Sequence, residues 1–387
     1  MDTQKLDQTY IANTYARFPV TIVKGKGSLV WDDTGKEYID LSTGIAVDIF
    51  GVADEEWMAA VTKQLGTLQH ISNLYYTEPC VKLAQMLCEK TGMKKVFFGN
   101  SGAEANECAI KAARKWSEEK KGKDYSTIIT LKNSFHGRTI TTLAATGQDV
   151  FHHDFTPLTE GFVYAEPNDL ANLEQLIKAN KCAAVMMEVV QGEGGVMPLD
   201  EVYVKGAAKL CEQYDLLLIC DEVQIGNGRS GKLYGYMHYG VQPDIVSTAK
   251  GLAGGLPLGA TLLGEKVQDV LTAGTHGSTF GGNPVCCAGA INVLSRLDEK
   301  MLEGVEERSA YIKQELAGAK GVLGVTGLGL MLGIQTEKNA SDIIAACREK
   351  GVLVIKAKDK LRLLPALNIP MEQLQKAVAV IKACCAE

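Results

Sequence analysis

Short apolar runs alternate with helix-like segments from about residue 85 to residue 285, and this alternation constrains the fold more than any other feature. The strand candidates span residues 126–131, 183–190, 216–220, 245–248 and 260–263. Helical periodicity with charged faces lies between them, at residues 103–115, 170–179 and 201–214. Because strands that alternate with helices form βαβ units, the pattern predicts an α/β domain with a mostly parallel sheet.

Shorter elements flank this region at both ends of the chain. Residues 20–24, 29–32 and 37–41 predict a small antiparallel unit, and residues 284–297 begin a long helix that leads to an α+β segment. We expect the two ends to form a smaller domain beside the large one, with segments 1–50, 51–284 and 285–387 and a cleft between the domains. The glycine-rich stretch 327–333 lacks the helix and acid of a dinucleotide loop, so we interpret it as a buried strand.

Composition argues against several classes of protein. The net charge is −6 with scattered lysines and arginines, so we expect neither nucleic acid nor an anionic membrane as a partner. No apolar run approaches the roughly 18 residues of a spanning helix, and we expect a cytoplasmic protein. The 11 cysteines form no Cys-x-x-Cys pair and no metal-ligand spacing with the 6 histidines, so buried thiols are expected and a metal site is not.

Lys250 follows a strand candidate and precedes a glycine-rich stretch. Partial desolvation there lowers the pKa of an amine and makes it a better nucleophile. Asp221 follows the buried run 216–220, where a carboxylate needs a cation or hydrogen bonds. A protonated pyridine nitrogen is such a cation, so the pair indicates a pyridoxal-phosphate site. The alternative is a surface lysine and a carboxylate that caps a helix.

Three further segments have chemistry that suits such a site. Ser101 and Glu104 have the spacing of a capping box, and the start of that helix offers free N–H groups to a phosphate. Phe135 offers a flat face to an aromatic ring, and Arg138 offers a fork for a carboxylate. The stretch 276–284 combines two hydroxyls with glycines that permit close approach to an anion. Taken singly, each is also typical of an ordinary capped helix or turn.

Six motifs together resemble the class III pyridoxal-phosphate aminotransferases, and within that family the bacterial acetylornithine branch. They run in order from about residue 15 to residue 367, and they are residues 100–107, 135–139, 191–195, 220–231, Lys250 and 276–284. The resemblance implies fold type I of the pyridoxal-phosphate-dependent transferases. That fold has a large domain with a mostly parallel seven-stranded sheet and a smaller α+β domain formed by both termini.

The resemblance implies how the cofactor, pyridoxal 5'-phosphate, is held. Lys250 would bind it covalently, Asp221 would pair with its pyridine nitrogen, and Phe135 would stack on its ring. Family members are homodimers with active sites at the interface, so one implied ligand comes from the second chain. The other implied ligands are Ser101, Gly102, Ala103, Glu222, Val223, Gln224 and Thr279 of the partner subunit.

The implied substrates are an amino donor and 2-oxoglutarate. Arg138 would bind the carboxylate far from the reacting atom, and Arg362 would bind the near one. Glu193 would neutralise Arg362 while the donor is bound, because a lone buried charge is costly. Ser278 of the partner subunit would contact the substrate.

The identity of the donor rests on two residues. Gly44 stands where ornithine aminotransferases have a tyrosine, so it leaves room for an acylated α-amino group, and Tyr15 would line the same pocket. This favours N2-acetyl-L-ornithine, whose δ-amino group would pass to 2-oxoglutarate to give N-acetyl-L-glutamate 5-semialdehyde and L-glutamate in arginine biosynthesis.

Other functions stay open. Another ω-aminotransferase would use ornithine, succinylornithine, 4-aminobutyrate or a lysine-pathway amine, and an aminomutase or decarboxylase would share the lysine and the acid. A non-catalytic regulator would need an additional domain. The chain also departs from the family pattern at residues 52–56, which replace a Gly-x-x-His-Pro stretch, and at Val189, where a proline is usual. We expect the first departure to alter a domain or dimer contact and neither to touch the cofactor.

Overall fold

The computed structural model describes residues 2–387. Its strands are β1 (Ile22–Lys26), β2 (Leu29–Asp32), β3 (Glu37–Asp40), β4 (Lys95–Gly99), β5 (Thr127–Leu131), β6 (Phe162–Ala165), β7 (Cys182–Met187), β8 (Val190–Gln191), β9 (Met197–Pro198), β10 (Leu217–Asp221), β11 (Ile245–Thr248), β12 (Gly259–Leu263), β13 (Val322–Leu328), β14 (Met331–Thr336), β15 (Val352–Leu353), β16 (Ile355–Ala357) and β17 (Lys360–Leu363).

The helices connect and cover these strands. They are α1 (Thr3–Tyr10), α2 (Thr43–Ala46), α3 (Glu55–Leu65), α4 (Glu78–Thr91), α5 (Gly102–Lys121), α6 (Ile140–Ala145), α7 (Leu170–Ala179), α8 (Glu201–Gln213), α9 (Pro284–Arg296), α10 (Glu299–Leu316), α11 (Ala340–Glu349) and α12 (Met371–Ala386), with 3-10 turns at Asp149–Phe151, Gly235–His238 and Lys250–Ala253. None of the helices formed by residues 2–387 has the length and apolar character needed to span a lipid bilayer.

The central sheet has seven strands in the order β4-β12-β11-β10-β7-β5-β6. β12 runs antiparallel to both of its neighbours, and the remaining pairs are parallel. Every residue of β7, β10, β11 and β12 is buried, as expected for a sheet that is covered on both faces. The predicted mostly parallel, seven-stranded sheet is confirmed.

Two predicted elements differ from the structure, and strand β6 of the central sheet was not predicted. The strand predicted over residues 183–190 ends at Met187, and the chain then turns into the short β8–β9 hairpin. The buried strand predicted at residues 327–333 is instead a hairpin of β13 and β14, because Gly329 adopts a φ of 54° that suits a tight turn. β6 has no sequence prediction, since it is a four-residue strand whose side chains are mostly half-buried.

Helix α5 begins at the edge of the sheet where β4 ends, and its start and its packing on the sheet are both well defined. Ser101 Oγ accepts the N–H of Glu104 at 3.2 Å and begins the helix. The Glu104 carboxylate accepts the N–H of Asn100 at 2.6 Å, one residue before the position that a capping box requires. Alanines on the buried face let the helix lie close to the sheet, where Thr261 Oγ1 of β12 donates to the carbonyl of Ala105 at 2.7 Å.

Both ends of the chain share one small sheet. β15, from the C-terminal part, pairs in parallel with β3, so the order is β1-β2-β3-β15. Lys36 Nζ adds hydrogen bonds to the carbonyls of Arg348 and Glu349 at 3.1 and 2.8 Å. The remaining C-terminal strands form the sheet β13-β14-β17-β16. The boundaries expected after residues 50 and 284 stay a prediction.

Candidate active site

A cavity of about 630 Å³ lies where β4, β7, β10 and β11 end. Parallel sheets commonly place their sites at this edge, because side chains that follow neighbouring strands converge there. The predicted site residues that line it are Tyr15, Ser101, Gly102, Ala103, Phe135, Arg138, Asp221, Val223, Gln224 and Lys250.

Lys250 enters the cavity from a turn with an unusual backbone. Its φ is 49°, a left-handed value that non-glycine residues seldom adopt. Within residues 2–387, no group accepts a hydrogen bond from its Nζ. Burial lowers the pKa of this amine, and Glu193 partly opposes that shift. The Lys250 amine therefore has no hydrogen-bond acceptor among these residues, and its lowered pKa makes it lose its proton more readily.

Asp221 is the centre of a buried hydrogen-bond network. Its side chain is 3% exposed, and Oδ2 accepts from Asn106 Nδ2 and His136 Nδ1, both at 2.8 Å. Oδ1 accepts the N–H of Val223 at 3.0 Å. Three donors hold the carboxylate in one orientation at the cavity wall.

Among the cavity residues that sequence reasoning did not name as site residues, the buried polar ones are Asn106, His136 and Glu188. Glu188 was identifiable, because it follows β7 as Asp221 ends β10. It accepts the N–H groups of Phe135 at 2.8 Å and Gly192 at 3.4 Å. Burial, reinforced by Asp221, raises the pKa of Glu188 well above its ordinary value. His136 could also have been identified from the sequence, since it directly follows Phe135.

The start of α5 gives the cavity a cradle for an anion. The first N–H groups of a helix lack intrahelical partners, and the helix dipole is positive at that end. A Cβ atom on Gly102 would lie 2.6 Å from Val223 Cγ1, so the close approach here requires glycine. An amine, a carboxylate, an aromatic face and a phosphate cradle therefore converge, and these residues fit pyridoxal phosphate.

A partly buried ion pair lies beside Gln224. Arg362 is 3% exposed, and its guanidinium contacts both carboxylate oxygens of Glu193 and donates to Gln224 Oε1 at 3.0 Å. Burial alone would raise the pKa of Glu193, but pairing with Arg362 holds that pKa below its ordinary value. Gln224 Nε2 closes the triangle by donating to Glu193 Oε1 at 3.3 Å.

Arg138 and Tyr15 line the outer part of the cavity. The Arg138 guanidinium lies 5.6 Å from the centre of the Phe135 ring and 4.3 Å from that of Phe151. Aromatic faces thus hold the cation on the cavity wall. Tyr15 is largely exposed.

The remaining predicted residues lie outside the cavity wall. Glu222 does not line the cavity, and its buried carboxylate accepts the N–H groups of Gly235 and Tyr236 at 2.7 and 2.8 Å. Gly44 is exposed with a φ of 61°, while Val47 of the same loop lines the cavity. Ser278 is half-buried and Thr279 exposed, and neither lines the cavity of its own chain, although Ser278 Oγ accepts a hydrogen bond from the cavity residue Asn100 at 3.1 Å.

Comparisons with known proteins agree over nearly the whole chain. The sequence model of the family described as aminotransferase class-III matches residues 10–385. The acetylornithine aminotransferase of Haemophilus ducreyi is 49% identical over 386 residues, which cover 99% of this chain and 98% of that protein. The ornithine aminotransferase structure from Toxoplasma gondii has a TM-score of 0.94 at 34% identity, covering 99% of this chain and 94% of that one. The N-acetylornithine aminotransferase structure from Stenotrophomonas maltophilia has a TM-score of 0.86 at 36% identity, covering 99% and 98%.

These matches extend the resemblance seen in the motifs to both ends of the chain. The central sheet and the smaller terminal sheets have the arrangement of fold type I of the pyridoxal-phosphate-dependent transferases. The cavity with Lys250, Asp221 and Phe135 lies within the matched residues. The chain therefore belongs to the class-III aminotransferases.

Proposed function

We propose that the protein transfers the δ-amino group of N2-acetyl-L-ornithine to 2-oxoglutarate, giving N-acetyl-L-glutamate 5-semialdehyde and L-glutamate for arginine biosynthesis. The observation that carries this proposal is the convergence of Lys250, Asp221 and the start of α5 on one cavity. The acetylornithine aminotransferase of Haemophilus ducreyi, at 49% identity, supports the choice of donor.

The cofactor and the chain have separate tasks. When bound, pyridoxal phosphate withdraws electrons from the carbon that carries the amino group, so that this carbon can lose a proton. Lys250 Nζ would bind the cofactor, and Phe135 would cover one face of its ring. The Asp221 carboxylate would keep the ring nitrogen protonated, and the first N–H groups of α5 would hold the phosphate. Gln224 would contact the ring oxygen.

Lys250 would then carry the proton during transfer. Burial lowers the pKa of its amine, which places more of it in the neutral form that can accept a proton at Nζ. Its position on the cavity wall lets Nζ take a proton from one carbon and return it to a neighbouring one.

Two arginines would distinguish the two substrates. Arg138 would bind the carboxylate distant from the reacting carbon. Arg362 would bind the carboxylate next to the reacting carbon of 2-oxoglutarate, for which Glu193 must release it. Arg362 is bound to Glu193 in the structure. This contact supports the proposal that the Glu193 carboxylate takes the place of the near carboxylate of 2-oxoglutarate while the amino donor is bound. Gln224 hydrogen-bonds both Glu193 and Arg362. Separation of the ion pair would therefore change the hydrogen bonds of Gln224, which also lines the cofactor side of the cavity.

The open backbone at Gly44 would leave space for the acetyl group. A Cβ atom placed on Gly44 would lie 3.5 Å from Asp48 Oδ2 and 3.7 Å from Val47 Cβ, so a large side chain there would fill the space beside Val47. Val47 lines the cavity, which connects this loop to the bound donor. Tyr15 would complete that part of the pocket.

We expect kcat/KM to be at least about tenfold higher for N2-acetylornithine than for ornithine, since one well-filled pocket for a small group is worth roughly 1–3 kcal/mol. The measurement is glutamate production from 2-oxoglutarate with acetylornithine, succinylornithine, ornithine, 4-aminobutyrate and lysine as donors. Equal or better turnover of ornithine would contradict the proposed donor. Product formation without 2-oxoglutarate would instead indicate an aminomutase or decarboxylase.

We also propose a cytoplasmic homodimer with active sites at the interface. An exposed apolar patch supports it, and its large members are Ile71, Leu74, Tyr75, Tyr76 and Phe280. Exposed patches of this kind commonly mark protein interfaces. Asn73 Nδ2 ties the patch to the hydroxyl loop by donating to the carbonyls of Ser278 and Gly281, both at 2.9 Å. Ser278 and Thr279 would thus reach the partner's cavity. The eleven free thiols suit a reducing compartment.

Tyr76→Asp is expected to convert the dimer into monomers, because it places a charge in the apolar patch on a side chain that is 100% exposed. Light scattering should give twice 41.7 kDa for the wild type and one chain mass for the variant. Val202→Asp, at an exposed apolar position on α8, is the matched control and should stay dimeric. A wild-type monomer with full activity would overturn the shared-site proposal.

A further inference from the structure

The turn that presents Lys250 is held in a strained conformation. Lys250 has a φ of 49°, and a non-glycine residue in this region costs roughly 1–3 kcal/mol unless its surroundings enforce it. The preceding Ala249 has φ −165° and ψ −145°, and the turn closes at Gly254 with φ 62°. Something outside the turn must therefore fix both of its ends.

Asn227 holds the first end. It is 1% exposed, and its Nδ2 donates to Thr248 Oγ1 and to the carbonyl of Ala249, both at 3.0 Å. These are the two residues immediately before Lys250. Asn227 itself has a φ of 57°, so its side chain reaches the turn from a second left-handed position. It does not line the cavity.

Trp57 holds the other end. Its indole Nε1 donates to the carbonyl of Ala253 at 3.0 Å, the last residue of the turn. The ring also lies so close to Gly254 that a Cβ atom there would be 2.9 Å from Nε1. Trp57, like Asn227, is outside the cavity wall.

The segment that departs from the family pattern positions this tryptophan. Asp54 begins α3 by accepting the N–H of Trp57 at 2.9 Å. The same carboxylate takes two hydrogen bonds from Arg296 of α9, at 2.6 and 3.0 Å. A bidentate pair fixes orientation as well as distance, so α3 is docked on α9 with the indole directed at the turn.

We propose that Trp57 and Asn227 form a two-point clamp that positions Lys250 for proton transfer. The clamp fixes the carbonyls of residues 249 and 253, and Lys250 lies between them. Neither residue reaches the reacting atoms, so both are positioning residues. The residues that replace the usual Gly-x-x-His-Pro stretch thereby act on the lysine through Trp57. This inference rests on the proposed function of Lys250.

The test uses Trp57→Phe, which removes the indole N–H and keeps an aromatic ring, and Asn227→Gly, which suits a positive φ and removes the side chain. We expect each to lower kcat about tenfold with KM for both substrates within about twofold, because small displacements of a reacting group are costly to the chemical step. We also expect the pH midpoint of the visible absorbance change of the holoenzyme to move by about 0.5 unit, since that absorbance reports the lysine–cofactor linkage. Trp116→Phe and Asn168→Gly are the controls: Trp116 has a buried indole whereas that of Trp57 is half-buried, and Asn168 is an exposed asparagine with a φ of 62°.

Two sets of results test the clamp and the assignment of Lys250 independently. Borohydride reduction of the holoenzyme followed by peptide mass mapping should place the cofactor on Lys250. Reduction onto another lysine would overturn the proposed site. If the cofactor is on Lys250 but both variants match their controls in kcat and absorbance midpoint, the clamp is overturned. A fall in melting temperature with a wild-type midpoint also overturns it, because that result describes a structural role only. If Trp57→Phe fails to fold, Asn227→Gly decides alone.

Discussion

Lys250→Ala is expected to lower kcat by about three to four orders of magnitude, since a positioned acid–base group contributes roughly 10²–10⁴-fold and the variant also loses the covalent hold on the cofactor. The chain has no replacement for this amine, because the other residues of the cavity wall include no second lysine. The measurement is steady-state glutamate production at saturating donor and 2-oxoglutarate, with the cofactor content of each preparation determined separately.

Two further measurements make this result specific. Lys266→Ala is the matched control, because Lys266 is exposed, pairs with Asp244 at 3.1 Å and does not line the cavity. A small primary amine in the buffer should partly restore the rate of Lys250→Ala, since it can occupy the space of the lost side chain and carry the proton. Activity within tenfold of wild type would remove Lys250 from the mechanism.

Arg362→Ala is expected to lower kcat/KM for 2-oxoglutarate by about a hundredfold. The variant loses the hydrogen bonds to the near carboxylate of 2-oxoglutarate, and removing one partner of a buried charge pair costs roughly 2–5 kcal/mol of binding. The effect is placed at the lower end because the wild type must first break the contact between Arg362 and Glu193, a cost that the variant does not have. The donor half-reaction should change much less. Rapid mixing with each substrate alone separates the two half-reactions.

Glu193→Gln is the complementary variant. It leaves Arg362 charged without its partner, so the oxo-acid half-reaction should be retained while the donor half-reaction slows. The two variants therefore have opposite effects on the two half-reactions. Equal slowing of both half-reactions by either variant would show that the ion pair supports the fold and does not select between substrates.

The sequence predicted the sheet well because its strands are buried on both faces. The run 216–220 is wholly apolar and matches β10 to within one residue at each end, and the run 245–248 matches β11 at both ends although it includes a serine and a threonine. β6 was missed because its four residues are mostly half-buried and adjacent to a loop. The hairpin of β13 and β14 was read as one strand because the turn at Gly329 lies inside a continuous apolar stretch.

The sequence motifs predicted several residues that line the cavity. Ser101 lines it at the start of a helix, Asp221 at the end of a predicted strand, and Phe135 from the loop that follows another predicted strand. Glu222 lies beside Asp221 in sequence but on the opposite side of the chain, and only the contacts of its carboxylate show this. Trp57 could not be found, because the carbonyl that it binds is 196 positions away in the chain.

The pairing of β3 with β15 has a consequence for synthesis of the protein. The hydrogen bonds from Lys36 reach residues as far as 313 positions downstream, so the first sheet stays incomplete until the ribosome has made most of the chain. At about 5–20 residues per second this interval lasts roughly 15–60 s. During that time the edge of β3 has unpaired backbone groups, which are a template for association with other chains. The nascent polypeptide thus depends on rapid burial of its N-terminal strands, or on a chaperone that covers them, before the last helices emerge.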